Sequence, residues 1–222
     1  MYLYLYHSNN KGIKQQSGKE QLSHSDFSGM MVRKALRNYC ESRKLEISDE
    51  ELRETMIQRE AKGKPYFADL SGGKYKGKSA VHYSVSHSGN WWGCLMAEEP
   101  VGFDMEVCRE KINYEKIAQR FFTKEECEWI HSYGLDAFFD IWVRKEAYVK
   151  YLGSGLGEGL DSFSVIENGH LAQMVSAKKD EGGKHLSCFI QSCEIQDGVK
   201  AAYCSSSGNP VKTIISLEGY IA

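Results

Sequence analysis

The sequence predicts an α+β fold of two lobes of similar size. After an opening strand, each half of the 222-residue chain shows helical periodicity first and short alternating segments afterwards. Short runs of turn residues join successive alternating segments, which favours antiparallel strands. Hydrophobic residues form 41% of the chain and charged residues 26%, which suffices for a hydrophobic core in a soluble protein. We place the two lobes at 1–101 and 102–222.

The first lobe is predicted to open with a strand and a helix. Alternation over 1–7 indicates the strand, and the polar stretch 9–23 is typical of a loop. A helix is then predicted from about Ser25 to Ser42, because apolar residues recur at every fourth position. These residues are Phe27, Met31, Ala35 and Tyr39.

A second helix and three strands are predicted to follow. Ser48 and Glu51 form a capping-box pattern at the start of this helix, and the Gly- and Lys-rich segment 62–80 comes next. The turn at 88–90 predicts a hairpin between the first two strands. The strands are predicted at 81–86, 91–97 and 101–107.

The second lobe is predicted to be helical before it is stranded. A helix is expected over 114–122, and Thr123 with Glu126 forms another capping box, which opens a helix through Trp129 and Ile130. A long helix is expected over 136–152, ending at Gly153. Five strands are predicted near 162–166, 170–175, 185–191, 199–204 and 211–217, with a Glu-Asn-Gly turn between the first two.

Charge and composition exclude several classes of protein. The formal net charge is −2, whereas a duplex-DNA-binding domain is usually strongly basic. No apolar stretch approaches the ~20 residues that span a bilayer, and the N-terminal residues lack the pattern of a signal peptide. The seven cysteines are scattered without a Cys-x-x-Cys pair, which disfavours a disulfide framework and a zinc site. We therefore expect a cytoplasmic protein without nucleic-acid or membrane partners.

Two acidic residues lie close together in the predicted strand 101–107. Because side chains alternate along a strand, Asp104 and Glu106 leave the same face. Adjacent carboxylates repel unless water or a cation separates them, and Mg2+ prefers oxygen ligands. The pair therefore predicts a metal site. The alternative is the exposed polar face of a half-buried strand.

The predicted helix 136–152 carries a further acidic candidate. Trp142, Glu146 and Lys150 are spaced four apart and lie along one stripe. A Glu–Lys pair at this spacing is common on solvated helix surfaces, and that alternative stays open. Trp142 favours a stripe that faces protein or a cleft, since large aromatic residues are largely buried.

Two turn-like motifs are candidates for phosphate binding. The Ser-His-Ser-Gly run at 86–89 combines small hydroxyls, turn amides and an imidazole. Its alternative is an ordinary hairpin turn. Ser86 and His87 point to opposite faces of a strand, so His87 is badly placed to activate Ser86 as a nucleophile. The Gly-Lys-Pro run at 63–65 alone indicates little more than a turn with one cation.

In combination, these motifs resemble the surfactin-type 4′-phosphopantetheinyl transferases. Five motifs occur in the order typical of that family, and the resemblance is close over about residues 61–166. It implies a pseudo-dimer of two α/β lobes with the active site between them. The motifs are Gly63–Pro65, Ser86–Gly89, Gly102–Glu106, Arg120–Glu126 and Trp142–Lys150.

The resemblance also implies roles for individual residues. Asp104, Glu106 and Glu146 would hold Mg2+ against the coenzyme A pyrophosphate. Glu146 would also deprotonate the carrier serine. Lys150 would neutralise charge on the phosphates and on the departing adenosine 3′,5′-bisphosphate. The residues implied in coenzyme binding are Lys62, Gly63, Lys64, Pro65, Ser86, His87, Ser88 and Lys150.

Two features depart from the family pattern. Ser25 stands where an arginine of the first helix often helps to hold the coenzyme 3′-phosphate, and Lys11, Lys14 or Lys19 could substitute for it. The segment 72–78 resembles an insertion. Its lysines either add positive charge near that phosphate, steer an acidic carrier protein, or belong to a solvated loop. These lysines are Lys74, Lys76 and Lys78.

The resemblance implies a monomeric, Mg2+-dependent enzyme that modifies an apo acyl or peptidyl carrier protein. It also implies carrier docking near 111–122, although burial of Phe121 or Phe122 in the core competes with that interpretation. One alternative is a non-catalytic module that binds coenzyme A or the carrier. Another is a Mg2+-dependent nucleotide hydrolase, which the lack of a Walker-type phosphate loop disfavours.

Overall fold

A computed structural model of the chain describes residues 1–8, 23–44, 47–48, 50, 52, 57–59, 64–67, 81–153, 159–176 and 187–217. These residues form three α-helices and twelve strands, which confirms the α+β class. The predictions for Lys62, Gly63 and the lysines at 11–19 and 74–78 fall outside them. The same holds for most of the helix predicted after Ser48, including Glu51 of its capping box.

The first sheet is built around the strand near the N-terminus. Its six strands are β1 (Tyr2–His7), β2 (Ile57–Arg59), β3 (Pro65–Phe67), β4 (Val81–Ser88), β5 (Trp91–Ala97) and β12 (Thr213–Ser216). Their order is β12-β1-β5-β4-β3-β2. Neighbours are antiparallel except for β1 and β12, which run parallel with Tyr2 opposite Thr213. β12 thus adds residues from the second predicted lobe to the sheet of the first.

The second sheet is antiparallel and smaller. It contains β6 (Val101–Val107), β9 (Met174–Ser176), β10 (Ser187–Ser192) and β11 (Val199–Ser205), in the order β6-β11-β10-β9. A separate hairpin joins β7 (Ile166–Glu167) to β8 (His170–Leu171) at the predicted turn. Asn168 and Gly169 have φ values of 53° and 72° there, as the favoured two-residue hairpin turn requires.

Three helices cover the two sheets. They are α1 (His24–Ser42), α2 (Tyr114–Phe121) and α3 (Lys124–Leu152). The predicted stripe of α1 is buried at Met31, Ala35 and Tyr39, so the fourfold spacing identifies its inner face. In the described part of the chain, no helix combines enough length and apolarity to cross a membrane.

The ends of α3 follow from local sequence signals. The Thr123 side chain accepts a hydrogen bond from the Glu126 amide, and the Glu126 carboxylate accepts one from the Thr123 amide, which confirms the predicted capping box. Gly153 ends the helix in the left-handed region at φ 68°. Gly134, with φ 76° and ψ −154°, interrupts the helix between the two helical stretches that the sequence predicts.

Buried residues form three clusters that stack through the molecule. One lies between α1 and the first sheet and contains Trp92. Another packs α2 and α3 against the second sheet and contains Tyr148. The third lies between the two sheets, where Leu3 of β1 meets Phe103 of β6. The sheets therefore share a core, and the edge of β6 next to β4 becomes part of a seam between them.

The strand predicted at 162–166 is wrong over most of its length. Residues Leu160–Ser162 form a 3-10 turn, and the strand begins only at Ile166. Side chains take the hydrogen bonds that a ladder would need. Lys145 Nζ donates to the carbonyls of Leu160 and Phe163 at 2.7 and 2.6 Å. The Val165 amide donates to a glutamate on α3 at 2.8 Å.

Candidate active site

The predicted acidic residues meet where β4, β6 and α3 come together. Odd-numbered residues of β6 face the core between the sheets, so the even-numbered ones face α3. A Cβ on Gly102 would lie 2.0 Å from the Ala147 carbonyl oxygen, so β6 and α3 approach too closely for any side chain there. This approach brings four predicted site residues to one place: Asp104, Glu106, Glu146 and Lys150.

Asp104 is the most buried of the three carboxylates, with 5% of its surface exposed. Its Oδ1 accepts hydrogen bonds from Ser86 Oγ and Lys150 Nζ, both at 2.7 Å. Its Oδ2 is buried and has no hydrogen-bond partner among the described residues. A buried carboxylate oxygen without a donor costs free energy, so this atom favours an incoming cation or donor.

Glu106 is half-buried beside it. Ser88 Oγ donates a hydrogen bond to Glu106 Oε2, and the Arg109 guanidinium lies 4.0 Å from the same oxygen. Burial raises the pKa of Glu106, and the negative charge of Asp104 raises it further against the opposing effect of the Ser88 hydrogen bond. Glu106 therefore holds its charge at a cost in the absence of a cation.

Glu146 and Lys150 lie one turn apart on α3. Burial raises the pKa of Glu146, and repulsion from Asp104 and Glu106 adds to the effect while Lys150 opposes it. Lys150 Nζ also donates to the Val85 carbonyl at 3.2 Å, so it ties α3 to β4. The stripe therefore faces protein, as Trp142 indicates by packing against aromatic residues of the second core.

These residues fit a magnesium ion in their chemistry. Among the described residues, no group of three His, Cys, Asp or Glu side chains is arranged so that it could hold a metal ion as it stands. The three carboxylates nevertheless lie close enough for the charges of Asp104 and Glu106 to raise the pKa of Glu146 beyond the effect of burial. The Lys150 ammonium and the Arg109 guanidinium are nearby positive charges. The Oδ2 atom of Asp104 has no hydrogen-bond partner among the described residues. Oxygen-only donors of this kind suit Mg2+, which typically takes one or two carboxylates together with substrate phosphates.

The predicted Ser-His-Ser cradle is divided between two faces of β4. Ser86 and Ser88 are buried and point towards β6, where their hydroxyls accept hydrogen bonds from the amides of Met105 and Val107. His87 is exposed and points to the opposite face, opposite Trp92 of β5 in the strand register. The structure therefore does not bring the three side chains together around one ligand.

Lys64 of the Gly-Lys-Pro motif lies at the C-terminal end of α3. Lys64 is buried, its Nζ donates to the Tyr151 carbonyl at 2.8 Å, and the ammonium lies 5.1 Å from the Tyr151 ring centroid. Its side chain also packs against Gly153, where an added Cβ would come within 2.9 Å of it. Pro65 begins β3. Lys64 thus offsets the negative end of the α3 dipole.

The segment predicted to dock a carrier protein has one buried and one exposed phenylalanine. Phe122 is 6% exposed and packs against Phe138 and Trp142, whereas Phe121 is 38% exposed beneath the Arg120 guanidinium. Core burial therefore accounts for Phe122. Phe121 is the last residue of α2 and remains exposed on the surface.

Two buried cations next to Glu146 are not predicted by the sequence patterns. Lys145 is fully buried against Glu126 at 2.8 Å, and the Arg144 guanidinium donates to Ser192 Oγ at 2.9 Å and to the Ala172 carbonyl. Burial lowers the pKa of both groups. Side chains of three consecutive helix residues spread around the helix. In a helix packed on both sides, at least one of the charged residues 144–146 must therefore face protein rather than solvent. These contacts fix the rotation of α3 and with it the direction of Glu146.

Comparison with known proteins matches this part of the chain to one family. The profile of the 4′-phosphopantetheinyl transferase superfamily matches residues 100–204, which include β6, α2, α3 and most of β11. Asp104, Glu106, Glu146 and Lys150 lie within the matched region. The serines of β4 lie just before it.

Curated relatives agree with this match. The chain is 34% identical over 148 residues to 4′-phosphopantetheinyl transferase Sfp of Bacillus subtilis (strain 168), covering 65% of this chain and 60% of that protein. It is 33% identical over 129 residues to 4′-phosphopantetheinyl transferase gsp of Aneurinibacillus migulanus, covering 56% and 52% of the two chains. It is 35% identical over 114 residues to human L-aminoadipate-semialdehyde dehydrogenase-phosphopantetheinyl transferase, covering 46% and 35%.

The matched stretch extends over 60% of the length of the Bacillus subtilis relative, and over 52% and 35% of the Aneurinibacillus and human relatives. The superfamily match includes the four residues whose side chains converge where β6 meets α3, namely Asp104, Glu106, Glu146 and Lys150. Residues 100–204 therefore match the 4′-phosphopantetheinyl transferase superfamily, and the chain is similar to its surfactin-type members.

Proposed function

We propose that this chain transfers the phosphopantetheine arm of coenzyme A to a serine hydroxyl of an apo acyl or peptidyl carrier protein. Adenosine 3′,5′-bisphosphate is the other product. The observation that carries the proposal is the convergence of three carboxylates and Lys150 at the seam, inside the region that matches the family. We further propose that the enzyme acts as a cytoplasmic monomer.

Asp104, Glu106 and Glu146 are the residues that would hold Mg2+. When bound, the ion supplies a Lewis acid and a template for the pyrophosphate of coenzyme A. The orphaned Oδ2 of Asp104 and the raised pKa values of both glutamates support this assignment, because a cation would relieve each of them.

Glu146 is the group that would take the proton of the carrier serine. The serine oxygen forms a bond to the β-phosphorus, the bond from that phosphorus to the bisphosphate oxygen breaks, and the serine proton passes to the Glu146 carboxylate. A carboxylate with a raised pKa is a stronger base than an ordinary one. Lys150, beside it on α3, would neutralise the charge that develops on the departing bisphosphate.

The coenzyme contacts at the other end of the site are also proposals. His87 is exposed at the end of β4 and can reach a phosphate from there. Lys64 and Pro65 lie where β3 meets the end of α3, which supports their assignment to the adenine and 3′-phosphate end. We propose Phe121 and its surroundings as the docking surface of the carrier protein.

Intact-mass spectrometry tests the proposed reaction. An apo carrier protein incubated with the chain, coenzyme A and Mg2+ should gain the mass of one phosphopantetheine arm, and EDTA should abolish the gain. Glu146→Gln should abolish it as well. Glu128→Gln, a change at an exposed position of the same helix, serves as the matched control and should leave the rate unchanged.

Failure in this experiment has a distinct meaning for each outcome. A folded protein that modifies none of several carriers and yet binds coenzyme A would be a binding module. Release of inorganic phosphate from a nucleotide would instead favour a hydrolase. Full activity in the Glu146→Gln variant would remove Glu146 from the reaction and leave the family assignment intact.

A further inference from the structure

Three serines of β4 connect the first sheet to β6. They alternate along the strand, so their side chains share one face, and each is at least 94% buried. Each hydroxyl accepts a hydrogen bond from a backbone amide of β6. The bonds run from the Phe103, Met105 and Val107 amides to Ser84, Ser86 and Ser88 at 2.9, 3.3 and 3.0 Å. We name this arrangement the serine ladder.

The serine ladder occupies the free edge of β6. The other edge of β6 pairs with β11 through the backbone, and these amides would otherwise lack partners in a buried seam. The hydroxyls take the place of a neighbouring strand. A hydroxyl that accepts an amide bond still has one hydrogen to donate, and the amide restricts the direction in which it can point.

The members of the ladder differ in where that hydrogen goes. Ser86 Oγ donates to Asp104 Oδ1 at 2.7 Å, and Ser88 Oγ donates to Glu106 Oε2. Ser84 is one step further from the site, and among the described residues the acceptor for its hydroxyl is the Phe103 carbonyl at 3.4 Å. The chain therefore contains two serines with a carboxylate partner and one, in the same environment, without.

We propose that Ser86 and Ser88 are positioning residues, which orient the carboxylates of Asp104 and Glu106 towards a divalent cation. The proposal rests on the proposed function for the presence of that cation. Each serine holds one carboxylate oxygen and leaves the other for a ligand. In Asp104, Ser86 and Lys150 hold Oδ1 and the buried Oδ2 stays open.

This role differs from the phosphate contact that the sequence predicts for these serines. A phosphate oxygen needs a donor that points into the site, whereas both hydroxyls are buried and their hydrogens are committed to carboxylates. Turning either hydroxyl to a phosphate would leave an amide of β6 and a carboxylate oxygen without their partners. That rearrangement is costly in a buried seam.

Binding of Mn2+ to the full-length chain tests the proposal without any transfer reaction. Free Mn2+ is measured by electron paramagnetic resonance, with and without coenzyme A. Ser86→Ala and Ser88→Ala should each weaken Mn2+ binding by about 10- to 100-fold, the range found for residues that orient metal ligands. Ser84→Ala removes the same kind of amide bond without touching a carboxylate, so its Mn2+ affinity should stay within about twofold of the native value.

Two further measurements separate positioning from a structural role. Ser88→Thr keeps the hydroxyl and should recover most of the Mn2+ affinity. The KM for coenzyme A at saturating metal should stay near the native value in Ser86→Ala and Ser88→Ala. Circular dichroism confirms that each variant is folded.

Equal losses of Mn2+ affinity in all three alanine variants would overturn the proposal in favour of a purely structural ladder. A raised KM for coenzyme A with unchanged Mn2+ affinity would overturn it in favour of phosphate contacts. If the native chain transfers nothing to any carrier but the alanine variants still separate in Mn2+ affinity, the proposed function fails and the positioning role stands.

Discussion

At the scale of single residues, the site depends on residues that do not line it. Lys145 and Glu146 are adjacent in sequence, yet Lys145 is fully buried in an ion pair with Glu126 while Glu146 faces the seam. Lys145 Nζ also holds two carbonyls of the segment after α3. The pair thus holds α3 through a different face of the helix from the one that carries Glu146.

Removing the lysine of this pair should destabilise the whole protein. Lys145→Met leaves the buried Glu126 carboxylate without its cation, so we expect the free energy of unfolding to fall by about 3–5 kcal/mol. Urea denaturation measures the loss. Lys124→Met breaks an exposed ion pair on the same helix and should cost less than about 1 kcal/mol.

The double variant Glu126→Gln/Lys145→Met removes both charges at once. It should be more stable than Lys145→Met alone, because no carboxylate is left uncompensated. If Lys145→Met has the same urea midpoint of unfolding as the native chain, the ion pair contributes little to stability.

Glu146→Gln should stabilise the metal-free protein even as it abolishes transfer. The pKa of Glu146 is raised in the folded state, so its ionisation costs stability as the pH rises through the folded pKa. The amide variant avoids that cost. Thermal unfolding in EDTA should show the variant more stable than the native chain at about pH 8, with the difference shrinking towards about pH 4.

The opposite pH trend, with the variant gaining stability only in acid, would contradict the raised pKa. Glu128→Gln is exposed and should show no such dependence on pH.

Residue-level prediction from sequence succeeds where one element contains the whole pattern. Alternation places Asp104 and Glu106 on one face of a strand, and a spacing of four places Glu146 above Lys150 on one stripe. The burial of Lys145 could not be predicted, because its partners come from residues 126 and 160–163 and only the fold brings these together.

At the scale of elements, the site needs β6 and α3 in direct contact. Gly102 makes this possible, since an added Cβ would lie 2.0 Å from the Ala147 carbonyl oxygen and 2.4 Å from the Tyr151 amide nitrogen. The helix backbone itself is the obstacle, so a side-chain rotation cannot relieve the contact. Any larger residue must push α3 away from β6.

Gly102→Ala should therefore lower stability and activity together. We expect the free energy of unfolding to fall by about 1–3 kcal/mol from overpacking, with a larger loss of transfer because α3 carries Glu146 and Lys150. Urea denaturation and the mass assay measure the two effects. Native activity in a stable Gly102→Ala protein would contradict the contact.

Gly29→Ala provides the matched control for this change. Gly29 is in α1, where an added Cβ would meet only the end of the Arg33 side chain at 3.5 Å. Alanine there should raise the stability by up to about 1 kcal/mol, because it favours the helix more than glycine does.

Sequence patterns correctly locate the elements whose ends are determined by nearby residues, such as turn residues and capping residues. The strands at 91–97 and 101–107 and the start of α3 are confirmed as predicted. The strand predicted at 162–166 is wrong, because Lys145 and Glu126 bind its backbone from another element. The serine ladder has the alternation of an ordinary strand face, so its pairing with β6 could not be predicted.

At the scale of the whole molecule, the two sheets depend on each other. Leu3, Leu95 and Phe103 belong to a core that both sheets share. β12 strengthens the link, since it follows the second sheet in sequence and pairs with β1 of the first. Alternation predicts a strand near 211–217, but it cannot identify a parallel partner so distant in sequence.

Leu217→Ala should weaken both sheets at once. Leu217 is fully buried in the core beneath α1, and its amide donates to the Leu5 carbonyl at 2.7 Å. We expect a loss of about 2–5 kcal/mol. Hydrogen exchange by mass spectrometry should show α1 and α3 exchanging faster to a similar extent.

Ile214→Ala, at a position that is 47% exposed in β12, should change exchange in neither helix. Faster exchange in α1 with no change in α3 would show instead that the two sheets unfold independently.

The parallel pairing of β1 with β12 has a consequence for how the protein is made. β1 is translated before every other described strand, yet residues 213–216, which cover its outer edge, are translated only after the entire second sheet. Until then the outer edge of β1 has no neighbouring strand, and such unpaired edges can pair with other chains. The first sheet is therefore completed only after all strands of the second sheet have been translated.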